Sequence, residues 1–129
     1  MSDDSVRLIV VDDMEDAAAT LALTLKLDGY KVRTALDGAQ ALALIDSFQP
    51  HCILFDIDMP GINGLELSRR VRERYHDDIA LIAITAHPPH DPRVAGAFRV
   101  ADHYFRKPVD PRLLHKVLPP LRASAGPKS

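Results

Sequence analysis

The chain has 129 residues, 47% hydrophobic and 26% charged, with a formal net charge of −2. That length fits one ordinary domain with apolar material for a single core, and the slightly acidic balance excludes a global basic field drawing it to nucleic acid. One cysteine, Cys52, excludes an internal disulfide or a cysteine-based metal site, and the six histidines are scattered without a tight ligand motif.

The opening Met1-Ser2-Asp3-Asp4-Ser5 is acidic and polar, unlike a signal peptide. No apolar stretch approaches the roughly 20 residues of a membrane helix, so a cytoplasmic location and no membrane partner are expected. Val6 to Val11 is apolar apart from Arg7 and stops at Asp12-Asp13. Such short apolar runs are what parallel strands buried on both faces look like. Met14 to Asp28, rich in alanine and leucine, predicts a helix closed by Gly29, with Leu21 and Leu25 in the core and Leu23 and Leu27 outside. Lys31 to Ala35 is a short strand.

Asp37 and Gln40 have N-cap and N3 spacing, and Ala41, Leu44, Ile45 and Phe48 share one helical face ended by Pro50. His51 to Phe55 is the next strand, ending at Asp56. Residues 59–64 are dense in turn residues, and Asn63 with Glu66 caps a further helix. That helix places Leu67, Val71 and Tyr75 on one side and Arg69, Arg70, Arg72 and Arg74 on what reads as a solvated face. Ile79 to Ile84 is a strand ending at Thr85. Pro88 and Pro89 interrupt the chain, Asp91 and Pro92 open a helix, and Asp102 to Arg106 is a strand ending at Lys107. Asp110 and Pro111 open a last helix with Leu113, Leu114, Val117, Leu118 and Leu121 as its apolar stripe. The folded domain is expected over residues 1–122, with a disordered tail at 123–129.

Five strands alternating with five helices predict an α/β fold, a doubly wound parallel sheet with helices on both faces. In such sheets function sits outside the carboxyl ends of the strands. Those ends carry Asp12, Asp13, Asp56, Thr85 and Lys107. Carboxylates gathered there repel one another unless a positive charge joins them. A hard divalent cation on oxygen ligands suits the set, with Mg²⁺ the natural choice. Lysine adds a point charge for a phosphate and threonine a hydroxyl donor. A carboxylate so placed can act as a nucleophile and form an acyl phosphate. No P-loop, GxSxG or HExxH motif is present, so a nucleotide cradle is not indicated.

Val-Asp-Asp at 11–13, Phe-Asp-Ile-Asp-Met-Pro-Gly-Ile-Asn-Gly-Leu-Glu-Leu at 55–67, Ile-Thr-Ala at 84–86 and Lys-Pro-Val at 107–109 resemble the receiver domains of bacterial response regulators. The resemblance runs over about residues 6 to 121. It implies a five-stranded (βα)5 flavodoxin-like sheet of order 2-1-3-4-5 and a Mg²⁺-dependent phosphoryl transfer to Asp56 in a two-component or phosphorelay system. The donor would be a histidine kinase or a histidine phosphotransfer protein. By the same resemblance Asp12, Asp13, Asp56 and the backbone carbonyl of Asp58 hold the metal. Lys107 pairs with the phosphate, Thr85 with Ala86 forms the phosphate-binding switch, and Tyr104 swings inward when the switch closes. The Lys107–Pro108 peptide would be cis. The domain would be a signalling phospho-acceptor rather than an enzyme, catalysing its own phosphorylation and slow dephosphorylation. It would bind no nucleic acid directly, and a phosphorylation-dependent dimer or a downstream protein would carry the output.

Two positions that vary in the family, Asp58 and His87, are expected to tune the lifetime of the phosphoryl group. The usual Gly-Ala before the fifth strand is Val100-Ala101 here, which puts the form of the output in question. Phe55-Asp56-Ile57-Asp58 also resembles the first motif of haloacid dehalogenase-type phosphatases, but Pro60 stands in place of the usual threonine or valine and the order of the acidic motifs is reversed. A third reading is a non-phosphorylated binding module of the same fold, against which the complete acid, threonine and lysine set argues.

Overall fold

The computed structural model describes residues 5–57, 64–87, 92, 96 and 100–119. Strands β1 (Arg7–Val11), β2 (Lys31–Ala35), β3 (Cys52–Asp56), β4 (Ala80–Thr85) and β5 (His103–Arg106) alternate with helices α1 (Glu15–Leu27), α2 (Gly38–Phe48), α3 (Gly64–Tyr75) and α4 (Pro111–Val117). Residues 92, 96 and 100 also lie in helical backbone, where the helix opened by Pro92 is expected. The expectations for Asp58, Asn63, Pro88, Pro89, Asp91, Leu121 and the 123–129 tail fall outside the described residues. Among the described residues no helix is long and apolar enough to cross a membrane.

The sheet is parallel throughout, in the order β2-β1-β3-β4-β5. Its side chains alternate between two cores, as the two-residue period of a strand requires. Ile9, Val11, Ile53, Phe55, Leu81 and Ala83 face α2 and α3, with Ala41, Ile45, Leu67 and Val71 above them. Leu8, Val10, Cys52, Leu54, Ile82 and Ile84 face α1 and α4, against Ala18, Ala22, Leu25 and Leu114. β3 is buried along its whole length and centres the sheet. Each fully buried Leu or Ile of this kind contributes about 1.5–3 kcal/mol.

The helix ends follow their cap residues. After α1 the Tyr30 amide donates to Leu25 O and the Gly29 amide to Lys26 O, with Gly29 at φ 112. That is the double-bonded, left-handed stop that glycine permits. Asp37 caps α2 by accepting from the Gln40 amide at 2.8 Å, and Gln40 returns the contact by accepting from Leu36 N at 2.9 Å. Asp110 caps α4 by accepting from Arg112 N, with Pro111 next.

Two expectations are corrected. Leu113 is not part of the apolar stripe of the last helix. It is 45% exposed, because Leu114 and Leu118 take the core-facing positions of that turn. The arginines of α3 do not all lie on a solvated face, since Arg72 folds back onto the protein and saturates its guanidinium with internal acceptors. On α1, Leu25 is fully buried and Leu21 packs at the core margin, while Leu23 and Leu27 are 58% and 79% exposed, as their positions predict.

Candidate functional site

Three strand ends converge at the carboxyl edge of the sheet. β1 delivers Asp12 and Asp13, β3 delivers Asp56, and β5 delivers Lys107. One carboxylate oxygen from each of Asp12, Asp13 and Asp56 lies within 4.8 Å of the others. Asp12 and Asp56 are nearly buried, 7% and 9% exposed, whereas Asp13 is exposed. Lys107 Nζ donates to Asp12 Oδ2 at 3.0 Å and to Asp56 Oδ2 at 2.9 Å. Asp12 Oδ1 accepts from the Met14 amide, which orients the carboxylate as the chain turns into α1.

The electrostatics follow from those contacts. Burial works against the Lys107 ammonium, but its hydrogen bonds to Asp56 and Asp12, with their charges, outweigh burial and raise its pKa above the ordinary value. Three acids against one ammonium leave the cluster net negative. A hard-oxygen set of this density, exposed on the Asp13 side, fits a divalent cation. The backbone carbonyl of Asp58, expected as a further ligand, lies outside the described residues.

The local backbone explains why the lysine arrives there. The Lys107 amide donates to Thr85 O at 2.8 Å, and the following Lys107–Pro108 peptide is cis, as the resemblance implies. Gly64, at the start of α3, sits directly against the end of β3. A Cβ there would fall 2.6 Å from Ile57 Cα, 2.8 Å from Asp56 O and 2.8 Å from Phe55 Cδ2. Its amide donates to Ile57 O at 3.0 Å. Sequence reasoning took Gly64 only as a turn residue. The readable signal was a glycine heading a helix eight residues after Asp56.

Thr85 stands one residue past Ile84, the ladder partner of Asp56, and is fully buried. Its hydroxyl oxygen accepts from the His87 amide at 3.1 Å. Tyr104 is half-buried against the core beneath α2 and α3, and its hydroxyl donates to the His87 carbonyl. Residue 87 therefore joins Thr85 to Tyr104 through its own main chain. Ala86 is exposed beside them. The structure thus forms two groups from the expected residues. Asp12, Asp13, Asp56 and Lys107 make the charged cluster, and Thr85, His87 and Tyr104 make a hydrogen-bonded chain. A cavity of about 620 Å³ opens beside the cluster between α1 and α4, lined in part by Ala17, Thr20, Leu21, Pro108 and Val109.

The sequence model of a family described as response regulator receiver domain matches residues 8–119. Response regulator MprA of Mycobacterium tuberculosis is 39% identical over 104 residues, which cover 81% of this chain and 45% of that protein. The chain therefore spans less than half the length of the curated relatives it matches. Among solved structures, a CheY-like receiver domain protein from Methanospirillum hungatei superposes with a TM-score of 0.79 at 29% identity, covering 88% of this chain and 90% of that one. TrrA of Thermotoga maritima, solved in complex with Mg²⁺-BeF, gives 0.73 at 32% identity over 87% of this chain and 96% of that one.

Proposed function

The chain belongs to the response regulator receiver domain family, and from that premise we propose that Asp56 is the residue that carries the phosphoryl group in two-component signalling. The observation that supports it is the contact of Lys107 with both Asp12 and Asp56 at the nearly buried end of the central strand. A carboxylate oxygen of Asp56 attacks phosphorus, the bond to the donor's imidazole nitrogen breaks, and that nitrogen keeps the electron pair. Lys107, already at hydrogen-bond distance, then turns from the Asp56 carboxylate to a phosphoryl oxygen. Thr85 accepts from His87 N through its oxygen, so its own proton is available to a second phosphoryl oxygen.

Asp12, Asp13, Asp56 and the Asp58 carbonyl would hold Mg²⁺, which is consistent with the Mg²⁺-BeF complex of TrrA. When bound, the ion supplies charge neutralisation for the transferring group. Lys107 pairs with Asp12 and Asp56, and a divalent ion would add to that balance. Asp58 and His87 would set how water reaches the acyl phosphate and hence its lifetime. The donor is a histidine kinase or a histidine phosphotransfer protein docking beside α1, where Leu23 and Leu27 are exposed. Such traffic belongs to the cytoplasm. The domain turns over no metabolite, so p-nitrophenyl phosphate should not be hydrolysed.

The test is incubation with Mg²⁺ and acetyl phosphate, read by intact mass, with beryllofluoride binding measured in parallel. One phosphoryl adduct is expected on the native chain and none on Asp56→Asn. An adduct of equal yield on Asp56→Asn would refute the assignment.

A further inference from the structure

β5 is the shortest strand of the sheet, and its register places Lys107. It has four residues, pairs on one side only, and is half-exposed along its length. Register is poorly specified in such an edge strand, because little burial penalises a slip. Yet the ladder Ile82↔His103 to Thr85↔Arg106 is what brings Lys107 over Thr85 and onto the two carboxylates. A shift of one residue would send the lysine to the other face.

The entrance to β5, at the end of the sheet opposite the acids, is held by an ion pair and a set of hydrogen bonds to main-chain groups. Asp102 is joined to Leu81 twice. Its amide donates to Leu81 O at 2.8 Å, and its Oδ2 accepts from Leu81 N at 2.8 Å. The same Oδ2 accepts from Arg72 Nη2 at 2.8 Å. The Arg72 guanidinium, only 20% exposed, also donates to His76 O and Ile79 O at 3.0 Å each and to Val100 O at 3.1 and 3.3 Å. One side chain thus ties together the end of α3, the approach to β4 and the approach to β5. Arginine alone can do so, because its planar fork carries five donors.

We infer that Arg72, acting through Asp102, is a positioning residue for Lys107: it sets the register of β5 from the far end of the sheet. The inference rests on Lys107 serving the phosphoryl site. Its first readout does not, because amide exchange is measured in the unphosphorylated protein.

The test compares Arg72→Met, Arg72→Lys and Asp102→Asn with the native chain. Amide exchange at Lys107 is followed against the amides of β1 and β3, and labelling of Asp56 by acetyl phosphate is timed at saturating Mg²⁺. In Arg72→Met the Lys107 amide should exchange at least about tenfold faster relative to β1 and β3, as local opening of a foldon requires. Labelling should slow by about tenfold, while Mg²⁺ affinity stays within about twofold. Arg72→Lys should not rescue, since a point charge cannot replace the fork. Asp102→Asn should show a smaller change of the same kind, because an amide oxygen still accepts from Leu81 N. Exchange that rises equally in β1, β3 and β5 would reduce Arg72 to general stability and overturn the inference. So would native labelling rates in a variant whose Lys107 amide has opened. Should Arg72→Met not fold, the same two readouts on Asp102→Asn decide.

Discussion

Replacing Gly64 by alanine tests how closely the acceptor strand is backed. The added Cβ would lie 2.6 Å from Ile57 Cα and 2.8 Å from Asp56 O. Both are main-chain atoms of the acceptor segment, so neither can rotate away. Restoring ordinary contact requires a displacement on the order of 1 Å, shared between the start of α3 and the end of β3, and overpacking of this kind costs about 1–3 kcal/mol. The loss of chain freedom in the unfolded state returns about 0.4–1 kcal/mol. A net loss of roughly 1–2 kcal/mol is expected in urea denaturation. The larger effect should be kinetic. A misplacement of about 1 Å at a reacting group can cost on the order of a hundredfold, so Asp56 labelling by acetyl phosphate should slow by one to two orders of magnitude. Gly64→Ala with native stability and labelling within about twofold of native would refute the claim that this close approach positions the acceptor.

Lys107→Met should destabilise the metal-free protein by about 2–4 kcal/mol, since it leaves two nearly buried carboxylates without their cation, and Mg²⁺ should recover much of it and bind more tightly, as isothermal calorimetry would show. The Lys107 pKa is raised in the fold, so its stabilising contribution is complete below the ordinary value of 10.5 and is lost as pH rises through the higher folded value. Native protein should therefore lose stability above that pH more steeply than Lys107→Met in alkaline thermal scans. Leu23→Glu should slow phosphotransfer from the partner protein at least about tenfold while leaving acetyl phosphate labelling unchanged; equal slowing of both would argue against docking at α1. Changing His87 or Asp58 should alter the half-life of the phosphorylated protein, followed by loss of the mass adduct, and an unchanged half-life in both variants would remove their assigned role.

What could be read from the chain follows the length scale of each interaction. β1, β3 and β4 are strands of five or six residues built on apolar runs of four or five, and α2 carries its cap at Asp37 and its face at Ala41 and Ile45, so local pattern was enough for them. The acids and Thr85 were legible because each sits where an apolar run stops, and Lys107 because it follows the last strand of the alternation. Strand order was not a property of any one segment and came from the resemblance. Arg72 was misread for a physical reason: helical periodicity marks its face as outward, but its acceptors at residues 76, 79, 100 and 102 belong to other segments. Leu113 was misplaced because α4 is only seven residues long, and so short a helix does not discriminate between neighbouring positions of its stripe. The dual pairing of Lys107 was likewise hidden, since the sequence gives the lysine a phosphate to meet but not the carboxylates that hold it beforehand.

The N–H and C=O of residue 87 bridge Thr85 to Tyr104. Both bonds use main-chain atoms, so nineteen of the twenty amino acids can make them; proline alone, lacking the amide hydrogen, cannot make the first. If position 87 tunes the lifetime of the phosphoryl group as proposed, a substitution there other than proline would change that lifetime and leave both main-chain bonds in place.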